Sequence, residues 1–184
     1  MPFAYYARLS KRQKAIYDKS DGMTEVRLPG AESLRPVVAA LAEALAREER
    51  AETQRACQRL LDGLTDALGV GPVRVEVLAA RPHAHWGELH GLYTEARGAR
   101  PPKITLWMRT AHQRRVVAFR TFLRTPLHEL CHHLDYRRFR LPDSFHTEGF
   151  YKRESSLFHQ LIPDTEDSHD NGSGTDGATA PDRR

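Results

Sequence analysis

Cysteine is scarce in this 184-residue chain: Cys57 and Cys131 are the only two, too few for a disulfide framework. Both fall inside strongly helical patterns, where a small buried thiol is the ordinary occupant. Long hydrophobic runs are missing as well. No apolar stretch reaches the roughly 18 residues of a membrane-spanning helix. The opening MPFAYYARLSKRQKAIYDKSD is basic and amphipathic, without the apolar core of about 7–15 residues that a secretory signal needs. These absences argue against membrane contact and against a disulfide-stapled secreted scaffold, and a cytoplasmic protein is expected.

Hydrophobic residues make up 40% of the chain, which at this length suits one core with flanking segments rather than two independent domains. The formal net charge is +4, but residues 163–184 hold six acidic and two basic side chains, so residues 1–162 carry +8. That tail, PDTEDSHDNGSGTDGATAPDRR, has no hydrophobic periodicity and is expected to be disordered. Residues 1–30 read as an N-terminal helical arm: positions 5–18 can place Tyr6, Leu9, Gln13 and Ile16 on one side, and DGMTEVRLPG then ends the helix.

Residues 31–162 form the main domain. From 33 to 68 apolar residues recur at three- and four-residue steps up to a stop at Gly69, which predicts one long helix or two collinear ones. Three runs rich in Val, Ile, Leu, Tyr, Trp and Thr, at 73–79, 87–96 and 103–110, are separated by Arg-Pro, Arg-Gly and Pro-Pro breaks and read as strands. Residues 114–124 have helical spacing. Thr125-Pro126 then serves either as N-cap and first residue of a new helix or as a kink in a continuous one that runs to about Phe139. After Leu141-Pro142-Asp143 a last amphipathic stretch, FYKRESSLFHQLI, closes an α+β fold.

The chemistry concentrates in HELCH, residues 128–132. At about 100° per residue, His128 and His132 project to one side of a helix while Leu127, Leu130 and Leu134 cluster on the other. One face can join a core while the other presents two imidazoles to a cleft. Two His one turn apart suit a zinc ion, and Glu129 is placed to reach a water at the metal rather than the metal itself. A catalytic zinc needs a third protein ligand. His146, fourteen residues beyond His132, is one candidate; Glu154, twenty-two residues beyond it in a predicted helix, is the other, with His146 then left as a substrate or supporting group.

HELCH followed after fourteen residues by H-x-x-x-F, His146 to Phe150, resembles the SprT-like branch of zinc metallopeptidases. The order of elements over residues 31–162 is similar too: a helix, a three-stranded sheet, the active-site helix and a further helix. The resemblance implies a zincin-like fold and a Zn2+ ion on His128, His132 and His146. It further implies hydrolysis of a protein or peptide substrate by water attack with Glu129 as general base. Thr147 stands where the family usually has Gly, and the sequence carries no zinc-ribbon cysteines.

Around this motif, Asp135 is either an acceptor for a ligand ring N–H or a surface residue at the helix C-terminus, Tyr136 and Tyr151 are candidate oxyanion donors, and His133 and Cys131 read as packing or surface residues. The third strand, ITLWM, is expected to offer an edge for an extended substrate, with Trp107 and Met108 then flanking the cleft, while core packing is the plainer reading for either residue alone. The basic clusters at 11–14, 97–103 and 137–140 suit non-specific contact with DNA phosphates, and RRFR, following the metal helix, is the cluster nearest the cleft. The alternative function is a non-catalytic, zinc-stabilised binding domain docking on DNA or a protein.

Overall fold

The computed structural model describes residues 2–80, 90–111 and 113–163. Among these, a short 3-10 turn at Ala4–Arg8 precedes five α-helices and a three-stranded sheet. The helices are α1 (Lys11–Asp21), α2 (Ala31–Ala46), α3 (Arg50–Leu68), α4 (Phe119–Arg137) and α5 (Glu148–Leu161), and the strands are β1 (Arg74–Ala80), β2 (Gly91–Thr94) and β3 (Lys103–Arg109). The fold is α+β with a small mixed sheet. None of its helices is long and apolar enough to cross a membrane. The acidic tail expected at 163–184 lies outside the described residues from 164 onward, as do 87–89 of the second predicted strand.

The run from 33 to 68 is a helical hairpin, not one helix or two collinear ones. Glu48 adopts a left-handed φ of 59°, which reverses the chain between α2 and α3. The two apolar stripes then bury each other: Leu41, Leu45, Leu60, Leu61 and Leu64 belong to one core. A Cβ on Gly63, near the end of α3, would meet Leu34 of the first turns of α2 at 2.5 Å. Periodicity predicts the stripes but cannot choose between extension and reversal.

The strand order is β1-β3-β2, with β1 parallel and β2 antiparallel to β3. This corrects the expectation for ITLWM. β3 is the central strand, buried on both faces, so it offers no free edge; Trp107 is 7% and Met108 2% exposed, so for these two side chains the core-packing reading holds. Among the described residues, the edge strand beside α4 is β2.

Residues 114–118 are not helical either. Arg114 turns back at φ 49°, Val116 bridges Arg109, and the Val117 N–H donates to the Met108 carbonyl at 2.9 Å, so the β-branched pair extends the end of β3. α4 starts only at Phe119 and then runs without interruption through Thr125-Pro126. Pro126 removes one helical hydrogen bond, yet Phe122, Leu123, Leu127, Leu130 and Leu134 are all buried on the core side, and that packing holds the helix continuous.

The arm is part of the body. Leu9-Ser10 separates the 3-10 turn from α1, because Ser10 and Gln13 form a capping box, and α1 packs against α5.

Candidate metal centre

α4 carries His128 and His132 on successive turns facing outward, with Leu127, Leu130 and Leu134 fully buried behind them. Residues 141–147 then fold back so that His146 Nε2 lies 3.0 Å from His128 Nε2 and 3.1 Å from His132 Nε2. The three imidazoles offer ligand atoms that all lie within 4.8 Å of one another. Phe150, fully buried at the start of α5, is the floor beneath them, with its ring centroid 4.8–5.2 Å from each imidazole.

The surrounding hydrogen bonds set the ring tautomers. Asp135 Oδ1 pairs with Arg153 Nη2 at 2.7 Å, and both side chains are fully buried. Burial raises the Asp135 carboxyl above its ordinary value; Arg153 opposes that, and so direct a contact keeps it a carboxylate. Ser144 Oγ donates its one hydrogen to Asp135 Oδ2 at 2.7 Å, so its 2.7 Å contact with His132 Nδ1 is accepted from the ring N–H. Likewise His128 Nδ1 donates to Glu154 Oε2 at 3.0 Å. With Nδ1 as the donor, the neutral form of each ring aims an Nε2 lone pair at His146 Nε2, which can supply at most one hydrogen. Hydrogen bonding cannot satisfy three converging nitrogens; a cation can. Burial and the neighbouring imidazoles hold His132 down to about 3, and burial lowers His146 as well, so both rings are neutral, the form in which a histidine binds metal.

The cluster opens into a cleft of about 570 Å³ lined along one wall by α4 and along the other by His90–Tyr93 of the β2 edge. Glu129 lies at their junction, 6% exposed. Burial pushes its carboxyl up to about 7, opposed by nearby His128 and by the main-chain N–H of Tyr93, which it accepts. A Cβ on Gly91 would come within 2.6 Å of Glu129 Oε1 and 2.7 Å of Thr125 Cγ2, so β2 approaches α4 this closely because position 91 has no side chain.

Of the two candidates for a third ligand, His146 is the residue brought to the His pair, while Glu154 contacts only the far nitrogen of His128 and is itself paired with Arg124 Nη1 at 3.4 Å. Asp135 does not accept a ring N–H directly; it acts on His132 through Ser144. Tyr136 lines the cleft, whereas Tyr151 lies outside that lining and stacks on His146 at 5.9 Å. His133 is fully buried between the Tyr93 hydroxyl and the Gly71 carbonyl, and Cys131 is fully buried too. In RRFR, Arg138 is occupied in donating to the Leu68 carbonyl at the end of α3, 2.5 Å away. Arg137 and Arg140 are exposed.

The structure adds Ser144 and Arg153 to the surroundings of the cluster. Arg153 had a legible signal: residues 150, 153, 154, 157, 158 and 161 share one helical stripe, and finding Arg-Glu among Phe150, Leu157, Phe158 and Leu161 marks two charges on a buried face. Ser144 had none. No protein-family model, curated protein or solved structure compared with the chain matches it, so the reading of this site rests on its own geometry.

Proposed function

We propose that the protein is a zinc-dependent metallopeptidase with a zincin-like, SprT-like domain. The observation that carries this reading is the convergence of three imidazole nitrogens beside a buried carboxyl group, in an open cleft bounded by a strand edge. Tetrahedral bonds of about 2.0–2.1 Å set ligand nitrogens roughly 3.3 Å apart, close to the spacings of 3.0 and 3.1 Å found here. His128, His132 and His146 would hold the ion. Zinc supplies Lewis acidity toward a substrate carbonyl and acidifies water.

The remaining work falls to side chains of this chain. Glu129 accepts a proton from the attacking water and can return it to the leaving amine; its upward shift places it near neutrality, where transfer in both directions is easy. Glu154 and Ser144 hold the tautomers of His128 and His132. The β2 edge supplies main-chain partners for an extended polypeptide. The opposite edge of the sheet is closed: Gln54 and Gln58 accept the Val77 and Val75 N–H groups, and Gln58 and Arg50 donate to the Val73 and Val77 carbonyls.

Metal analysis should find one zinc per chain, and unfolded casein should be digested, stopped by chelator and restored by zinc. A fully zinc-loaded protein that cleaves no unfolded substrate would overturn the proposal and favour a zinc-stabilised binding domain docking on DNA or a protein. Gly91→Ala supplies a finer test. The atoms nearest the added methyl belong to Glu129 and Thr125 and not to an imidazole, so hydrolysis should fall about 10²-fold, as expected for a misplacement near 1 Å, while zinc affinity stays at the parent value. Unchanged digestion by that variant would remove Glu129 from the chemistry.

A further inference from the structure

The loop bearing His146 is held by the opposite end of the chain. The Tyr5 hydroxyl donates to the His146 carbonyl at 2.7 Å, across 141 positions of sequence. The fully buried Tyr17 ring lies 6.3 Å from Phe145 and 5.9 Å from Tyr5. Asp21 Oδ1 accepts the Gly149 N–H at 2.9 Å, and a Cβ on Gly149 would stand 2.3 Å from the Asp21 carbonyl, so the end of α1 and the start of α5 meet backbone to backbone. Phe145, His146 and Gly149 are thus each fastened to a residue between 5 and 21.

His128 and His132 ride on a long buried helix and need no such support. His146 stands in a short connection between α4 and α5, where position depends on what grips the main chain. We propose that Tyr5 is a positioning residue for His146 and that the N-terminal segment is a clamp completing the metal centre from a part of the chain remote in sequence from the motif. This inference rests on the metal reading of the three-His cluster. The plainer alternative is that the segment adds packing and nothing more. Tyr6 separates the two: its hydroxyl bonds Asp18 Oδ2 at 3.1 Å within the arm and does not reach His146.

The experiment compares full-length parent, Tyr5→Phe and Tyr6→Phe, each of which loses one hydroxyl and keeps its ring. Zinc affinity is measured by chelator competition, the visible absorption of the Co2+ form reports the ligand set, and the melting temperature is taken on metal-free protein. Loss of a group that orients a ligand weakens metal binding by about 10–100-fold, so Tyr5→Phe should bind zinc at least about 10-fold more weakly and show altered Co2+ bands. Tyr6→Phe should match the parent, and the metal-free melting temperatures should agree. Equal zinc affinity in Tyr5→Phe and parent, or equal losses in both variants, would overturn the clamp. A parent that takes up no zinc would instead sink the metal reading. Amide exchange then decides the clamp alone: faster exchange at residues 145–149 in Tyr5→Phe keeps it, and unchanged exchange removes it.

Discussion

Glu129→Gln is expected to bind zinc as the parent does and to lose hydrolysis by roughly 10²–10⁴-fold, the range by which a positioned general base accelerates a reaction. Gln has the same shape and keeps an oxygen to accept the Tyr93 N–H, so β2 and α4 should hold their places. It cannot take a proton from water. Stability should move the opposite way from activity. A carboxyl with a folded-state pKa above its unfolded value binds more protons when folded, so its contribution falls as pH rises from the ordinary Glu range through about 7. Removing the charge removes that loss, and the metal-free variant should melt at or above the parent temperature at pH 8. Kinetics on a quenched peptide and a melting curve check both halves. Hydrolysis at the parent rate would exclude Glu129 as the base.

Arg153→Met should be the most damaging single change away from the cleft. Its guanidinium is fully buried, donates to the Ser20 and Met23 carbonyls at 2.7 and 2.6 Å, and pairs with Asp135, so one side chain ties α1, α4 and α5 together. Removing one partner of a buried ion pair costs about 3–5 kcal/mol because the other charge is left in the interior. For a domain of this size that corresponds to a melting temperature lower by roughly 6–20 °C. The double variant Arg153→Met with Asp135→Leu leaves no unpaired charge at this position and should regain much of the stability. It should not regain zinc affinity, since Ser144 would no longer have Asp135 to fix its hydroxyl toward His132. A single variant destabilised by under about 1 kcal/mol would show that the pair is not a structural tie, and a double variant with parent zinc affinity would remove the Asp135–Ser144–His132 relay.

What the sequence by itself determined is whatever depends on helical repeat. The two faces of α4, with His128 and His132 opposite Leu127, Leu130 and Leu134, follow from 3.6 residues per turn and were readable before any contact was known. The stripes of α2 and α3, and the two charges that share the face of Phe150 and Leu157 on α5, are legible for the same reason. Other features were settled only by the tertiary structure, because they depend on which distant segments meet. Whether residues 33–68 extend or reverse turned on one left-handed residue, Glu48, and on the burial gained when two apolar stripes face each other. β3 became central because β1 and β2 pair on either side of it, a choice that the composition of the strand does not encode. By sequence His146 is the favoured third ligand and Glu154 its rival. Folding brought the imidazole of one to the shared point and the carboxylate of the other to the back of His128, because α5 packs on α4 with Phe150 beneath the rings.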